Sequence, residues 1–148
     1  MIAKTRAIGI LMVTMLISIS CEVDTRLRME GGNPPKFFMS GSGVLSRLVI
    51  RGPKTLRKID GPDSSAYWSI EFIDYEKGKR VTRISPITYG TTPKGYTQIY
   101  PEQGQAPTLE ENVWYSIQVD TTNANGAWGS FIIEDGKIRF AEQKITGN

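Results

Sequence analysis

The chain of 148 residues contains no histidine and a single cysteine, Cys21. Without histidine there is no Ser-His-Asp triad, no Cys-His pair and no histidine-ligated zinc. A single cysteine excludes an internal disulfide and a zinc site made of four cysteines. Composition alone therefore removes the commonest hydrolase and metalloenzyme machinery and leaves carboxylate chemistry as the enzymatic option.

After its first twenty residues, the chain also lacks a long uninterrupted helical pattern. There are 15 glycines and 8 prolines, too many for a helical bundle of this length. Hydrophobic residues make up 39% and aromatic residues 9%, which is enough for one core and one domain. The sequence therefore predicts one globular domain rich in turns.

The first twenty residues have the organisation of an export signal. Lys4 and Arg6 form a short basic start, and residues 7–19 follow without a charge. This apolar run is shorter than the roughly 20 residues of a membrane-spanning helix, and it has no polar face for water. We expect residues 1–20 to be a signal peptide that is removed, and residues 21–148 to form the mature domain.

Residues 16–21, LISISC, resemble the lipobox of bacterial lipoproteins. Ser20 occupies the small position before Cys21, and Ser18 stands where that family usually has an aliphatic residue. The resemblance implies that the Cys21 sulfur receives diacylglycerol and that acyl chains such as palmitate anchor the protein in a membrane. Acylation would also consume a thiol that is otherwise a reactive liability outside the cytosol. The alternative is a chance cysteine after an ordinary signal, and a soluble periplasmic protein.

The residue after the cysteine and the net charge bear on location and partners. By the same resemblance, Glu22 favours the outer membrane, since aspartate at that place favours retention in the inner membrane. Removal of the leader takes Lys4 and Arg6 from the 18 basic residues and nothing from the 15 acidic ones. The mature chain is then nearly neutral, and we expect no nucleic-acid partner.

The mature chain alternates apolar and polar residues in short stretches, as half-buried strands do. Turn residues separate these stretches, which are residues 23–29, 36–40, 44–50, 67–73, 80–84, 96–100, 113–119, 128–133 and 138–140. We predict an all-β antiparallel sandwich of immunoglobulin-like type with about seven to nine strands, and a small barrel as the alternative.

Turn chemistry and the pleat refine this prediction. Asp135-Gly136 between two apolar runs is the strongest hairpin signal, and residues 76–79 and 121–126 predict two more hairpins. Successive side chains of a strand point to opposite faces, which selects the inward residues. The predicted core consists of Leu27, Leu48, Ile50, Trp68, Ile70, Phe72, Tyr115, Ile117, Val119, Phe131 and Ile133.

Paired carboxylates could act as general acid and base without histidine or cysteine. The candidates are Glu71, Asp74 and Glu76, or Glu110 and Glu111. Their spacing brings neither set to one cleft, so solvated surface acids are the preferred interpretation. A hydrolase that uses only Asp and Glu stays as an alternative to a binding domain.

One loop contains the oxygen ligands that calcium prefers. Asp120, Asn123 and Asn125 precede Gly126. An EF-hand loop has a glutamate at its twelfth position, which is Phe131 here. Asparagine and glycine tolerate positive φ, so a hairpin loop explains the segment. We predict neither a metal nor another cofactor.

Five basic residues follow one another with no acid until Asp60. They are Arg47, Arg51, Lys54, Arg57 and Lys58. On a lipid-tethered domain this segment could contact anionic headgroups or polyanionic envelope material. The preferred interpretation is an edge strand and a loop that charge keeps soluble.

The stretch YGTTPKGYTQIYP places rigid aromatic rings beside an amide. Tyr96, Gln98 and Tyr100 share one strand face, Tyr89 precedes the loop, and Trp114 faces away from the predicted core. Surfaces that bind sugars or peptides use such groups, so these five residues form a candidate ligand patch. Tyrosines that only cover the sandwich rim are the alternative.

Residues 93–101, with residues 40–43 and 51–53 upstream, also resemble small uncharacterised lipoproteins of the bacterial cell envelope, a family that implies no activity. The sequence thus predicts a lipid-anchored envelope protein with a non-catalytic β-sandwich that binds a ligand or has a structural role. The expected partners are the membrane, through acyl chains on Cys21, and an envelope glycan or protein.

Overall fold

The computed structural model of the chain describes residues 22–52, 66–72 and 78–143. Several sequence predictions concern other residues. The signal peptide, the acylation site Cys21, the basic residues Lys54, Arg57 and Lys58, and the carboxylates Asp74 and Glu76 lie outside the described residues. These stay predictions.

The described residues form nine strands and one short helix. The strands are β1 (Arg26–Glu30), β2 (Lys36–Ser40), β3 (Val44–Arg51), β4 (Ala66–Phe72), β5 (Ile87–Thr88), β6 (Tyr96–Tyr100), β7 (Trp114–Thr122), β8 (Ala127–Glu134) and β9 (Lys137–Gln143). Helix α1 (Val81–Ile84) lies between β4 and β5. Within the described ranges, no helix is long and apolar enough to cross a bilayer.

The strands pair into two antiparallel sheets. The small sheet has the order β1-β2-β5, and the large sheet has the order β6-β4-β3-β7-β8-β9. The small sheet covers one face of the large one, and the Phe37 ring of β2 stacks on Trp68 of β4 with ring centroids 6.5 Å apart. The predicted all-β sandwich is confirmed, and the described strands do not close into the alternative barrel.

The hydrophobic core fills the space between the two sheets. Every residue predicted as core is buried, and Trp68, Tyr115 and Phe131 have no exposed surface. Alternate positions of the small sheet add Phe37 and Met39 to this core. The period-two pattern therefore identified the inward faces correctly, because burial on one face only requires that alternation.

Alternation along β7 and β8 also defines the outer face of the large sheet. Tyr115 and Phe131, which are register partners, point inwards and stack with ring centroids 5.4 Å apart. The opposite phase places Ser116, Gln118 and Trp128 on the outer face. That face is the one the small sheet leaves uncovered.

Two of the three predicted hairpins are confirmed. β8 and β9 pair directly across Asp135-Gly136, whose φ values of 50° and 69° are both positive, as a tight two-residue turn requires. Residues 123–126 connect β7 and β8, and Asn123 has the positive φ of 65° expected for asparagine in a turn.

The prediction of a strand at residues 80–84 is wrong, and Glu76 and Lys77 of the hairpin predicted at residues 76–79 lie outside the described residues. β4 already pairs with β3 and β6, so it offers no edge to the chain that follows it. Arg80 makes one bridge to Val44, and the chain then forms α1. Val81 and Ile84 are three residues apart and both meet the core, which a helical turn achieves as well as a strand.

Candidate functional site

The predicted aromatic patch does not form, because Tyr89 and Tyr96 belong to the core. Only 5% and 7% of these residues is exposed. The Tyr89 hydroxyl donates to the Pro107 carbonyl oxygen at 2.7 Å, and the Tyr96 hydroxyl donates to the Leu45 carbonyl oxygen at 2.9 Å. Each ring fills core volume while its one polar atom finds a backbone acceptor, which is how buried tyrosines are usually satisfied.

Burial also changes the acidity of these tyrosines. Removal from water disfavours the charged phenolate, and this raises the pKa of Tyr96 to about 12, although an interaction with the Lys79 backbone acts in the opposite direction. The pKa of Tyr89 is raised well above its ordinary value, again mainly by burial. Such hydroxyls stay protonated at neutral pH and serve the fold.

Gln98 and Tyr100 have separate environments. The Gln98 side-chain oxygen accepts from the Trp68 indole nitrogen at 3.1 Å, and its nitrogen donates to the Pro101 and Gly104 carbonyls. The pairing of β6 with β4 shifts register between Gln98 and Tyr100, so the expected shared face is interrupted by a bulge. Tyr100 is 44% exposed. Gln98 therefore joins the core to a loop, and Tyr100 alone faces water at the sheet edge.

Trp114 lies on the outer face of the large sheet, as predicted, and is 38% exposed. The Arg139 guanidinium lies 5.6 Å from the centroid of its ring, and the two residues flank Ile132 on β8 as register partners. Trp114 therefore lies over β7 to β9, at a distance from the edge strand β6 that carries Tyr100. The structure does not bring the five predicted patch residues together.

The basic segment 47–58 is described only for Arg47 and Arg51. Both are half-buried on β3, which lies between β4 and β7 in the interior of the large sheet. The edge-strand interpretation is therefore wrong for them. Arg47 lies in register between Glu71 and Asp120, so a basic side chain alternates with acidic ones across three strands.

A groove of about 650 Å³ runs along the outer face of the large sheet over β7 and β8. Side chains with hydrogen-bonding groups line it together with one indole. On the outer face these side chains are Arg51, Ser116, Gln118, Asp120, Ser130 and Trp128. The volume of the groove lies within the range of pockets that bind small molecules.

A chain of hydrogen bonds orders the polar side of this groove. Arg51 Nη1 donates to Gln118 Oε1 at 3.0 Å. Gln118 Nε2 donates in turn to Asp120 Oδ1 at 2.7 Å. Since both ends of the Gln118 amide are engaged, its orientation is fixed before any ligand arrives.

The aromatic side of the groove is Trp128, which is the register partner of Gln118 and is 38% exposed. β8 pairs with β7 and β9 on both sides, so the backbone that carries this indole is held rigidly. The sequence analysis did not single out Trp128 as a site residue. Its phase in the alternation, opposite to Phe131 and Ile133, was the signal that could have found it.

The acidic candidates are dispersed in the described structure. Asp120 is the one carboxylate among the described residues that line the groove. Glu111 accepts a hydrogen bond from the Gly136 backbone at 3.0 Å, and Glu110 is exposed. In the loop considered for calcium, Asn125 donates to Asp24 Oδ1 at 2.9 Å. Among residues 22–52, 66–72 and 78–143, no three Asp, Glu, His or Cys side chains gather to hold a metal ion.

A second groove, of about 560 Å³, lies on the outer face of the small sheet. The Arg28 guanidinium lies 4.7 Å from the centroid of the Phe38 ring, and it also forms an ion pair with Glu30. Arg26 lines the same groove and is exposed. Here the one aromatic ring is covered by a cation of the protein itself.

No protein-family model matches the chain, and no curated protein or solved structure matches it either.

Proposed function

We propose that the protein is exported and anchored through acyl chains on Cys21 in the bacterial cell envelope, with the outer membrane favoured, and that its β-sandwich is a non-catalytic binding domain. The anchor is supported by the position of the only thiol, directly after an apolar leader and next to Ser20. Several acyl chains at about 0.8 kcal/mol per buried CH₂ group would make the attachment effectively permanent.

The chain just after Cys21 is held against the sandwich, which suits a short tether. The Val23 N–H donates to Ser42 Oγ at 2.9 Å, and the Val23 carbonyl accepts from the Ser42 N–H at 3.0 Å. The Thr25 N–H donates to the Asn125 carbonyl at 2.9 Å. An acylated Cys21 would therefore keep this end of the sandwich beside the membrane surface.

The binding role is supported by the groove around Trp128. It combines an exposed indole with side chains whose hydrogen bonds to one another set their positions, the combination of an apolar surface and a few fixed polar groups that ligand sites use. Acid–base catalysis by paired carboxylates needs two of them, and Asp120 is the one carboxylate among the lining residues that the structure describes.

The intact mass of the full chain produced in a bacterial host tests the anchor. We expect the membrane fraction to contain a protein that has lost residues 1–20 and gained a diacylglycerol increment on Cys21. Cys21→Ala is the matched control, and it should carry no increment and retain its leader.

Two results would contradict this part of the proposal. A processed wild-type protein with a free thiol would replace the anchored protein by the soluble periplasmic one. A cytoplasmic protein with its leader intact would overturn export altogether.

A further inference from the structure

We infer that the groove between Arg51 and Trp128 binds a linear glycan, one sugar ring of which stacks on the Trp128 indole while its hydroxyls bond to the polar side chains opposite. The inference deepens the proposed function and rests on the binding role of the sandwich. It is independent of acylation at Cys21.

The Trp128 indole provides a flat surface on which a sugar ring can stack. Trp128 is 38% exposed on an outer sheet face, and its strand is paired on both sides. The face of an indole suits the flat, weakly apolar C–H face of a sugar ring, while the hydroxyls at the rim of that ring need polar partners. A rigid ring loses little conformational freedom on binding, which favours affinity.

Polar side chains beside the indole provide hydrogen-bond partners for the sugar hydroxyls. The chain from Arg51 through Gln118 to Asp120 lies beside Trp128, with Ser116 on the same floor. It provides a guanidinium that donates, an amide, a carboxylate that accepts and a hydroxyl that does both. Neighbouring sugar hydroxyls, each a donor and an acceptor, match such a mixed set better than an apolar ligand does.

Charge and strand pairing argue against two other ligand classes. Among the described residues that line the groove, the positive charge of Arg51 is balanced by the negative charge of Asp120, so these residues give no net charge to attract a polyanion. β7 and β8 have hydrogen-bonded neighbours on both sides, so an extended peptide cannot add to either of them as a strand. A glycan needs neither a charge nor a free strand edge.

The matched control is a second tryptophan on the same face. Trp114 is also 38% exposed, and its register partner Ile132 lies four residues from Trp128 on β8, about 14 Å along the strand. It is not among the residues that line the groove, and Arg139 covers its ring. Substitution of Trp114 therefore removes an equally exposed indole from the same face and leaves the proposed site intact.

The test uses the full chain as the bacterial host produces it, purified in detergent, with purified peptidoglycan sacculi as the probe. We expect Trp128→Ala to weaken binding by about tenfold or more, the loss of one stacked ring and its neighbouring contacts. Gln118→Ala should weaken it by about threefold, since it breaks the hydrogen-bond chain. Trp114→Ala should stay within about twofold of the wild type. Circular dichroism and thermal unfolding confirm that each variant is folded.

A second arm separates sugar from peptide. Glycan strands freed of their stem peptides by an amidase should still bind and should keep their length after incubation, whereas the free peptides should not compete. Binding that requires the peptides, or equal losses for Trp128→Ala and Trp114→Ala, would overturn the inference. So would wild-type binding by Trp128→Ala. The intact mass of the same preparation reports acylation separately, so failure of the anchor and failure of glycan binding give different results.

Discussion

Phe38 and Trp128, one on each outer face of the sandwich, have opposite environments. On the small sheet, Phe38 is covered by Arg28, which is itself paired with Glu30. On the large sheet, Trp128 stays open while its polar neighbours Arg51 and Gln118 bond to one another. The Phe38 ring is thus covered by a side chain of the protein itself, whereas the Trp128 ring stays exposed beside an ordered set of polar side chains.

The two sheets also differ in size. The strands of the small sheet are five, five and two residues long, and two of its three strands are edges. The large sheet has four interior strands, and the groove lies over two of them, β7 and β8. Interior strands hold side chains more rigidly than edges or loops do, which is what a binding site needs.

The largest expected effect separates an interior indole from an exposed one. Trp68→Ala should lower the free energy of unfolding by about 3–5 kcal/mol, because it removes a fully buried ring that joins the two sheets. Trp128→Ala should lower it by no more than about 1 kcal/mol, as a partly exposed position allows. Urea unfolding followed by circular dichroism measures both, and equal losses would contradict the assignment of Trp128 to a binding surface.

An effect of intermediate size is expected in the pH dependence of stability, because tyrosines are buried in the core between the two sheets. Burial raises the pKa of Tyr89, Tyr96 and Tyr115. Below pH 10 these tyrosines are protonated in both the folded and the unfolded chain, so they do not change the free energy of unfolding. Above pH 10 the unfolded chain loses protons that the folded chain keeps, and the free energy of unfolding should fall by up to about 1.4 kcal/mol per pH unit for each tyrosine.

Urea unfolding at pH 9, 10 and 11, with the tyrosinate absorbance of the folded protein, checks this dependence. Tyr96→Phe should be less stable at pH 8, because the Leu45 carbonyl loses the hydroxyl bond, and its stability should fall less steeply above pH 10. A folded protein whose tyrosines all ionise near pH 10 would contradict the burial of Tyr89 and Tyr96.

The smallest expected effect lies on the small sheet. Arg28→Ala removes a cation from the Phe38 ring and an exposed ion pair with Glu30, and it should lower the free energy of unfolding by no more than about 1 kcal/mol. Glycan binding should not change, since Arg28 lies on the small sheet, away from the Trp128 groove. A loss of binding in this variant would place the site on the small sheet and end the contrast between the two faces.

Much of the local structure was readable from the sequence. The alternation in β7 predicted that Tyr115 would be buried and Trp114 exposed, and Asp135-Gly136 predicted the last hairpin. These features depend on the pleat and on the φ angles that individual residues tolerate, and neighbouring residues settle both. Residues 80–84 show the limit, because a short apolar spacing there fits a strand and a helical turn equally well.

The candidate site was less readable, because it depends on which strands become neighbours. Nothing in the spacing of Arg51, Gln118 and Trp128 shows that β3, β7 and β8 lie side by side. The same holds for Tyr96, whose hydroxyl finds a carbonyl 51 residues away in the chain. Strand order and register result from contacts across the whole chain, and local pattern does not contain them.

The sequence by itself determined an apolar N-terminal segment followed by the single cysteine, a β-rich remainder and the inward residues of most strands, since each follows from residue type and local period. The tertiary structure decided the division into sheets of three and six strands, the burial of two tyrosines that local pattern placed at the surface, and the groove beside Trp128. Those outcomes required distant strands to meet, and only the packed chain brings them together.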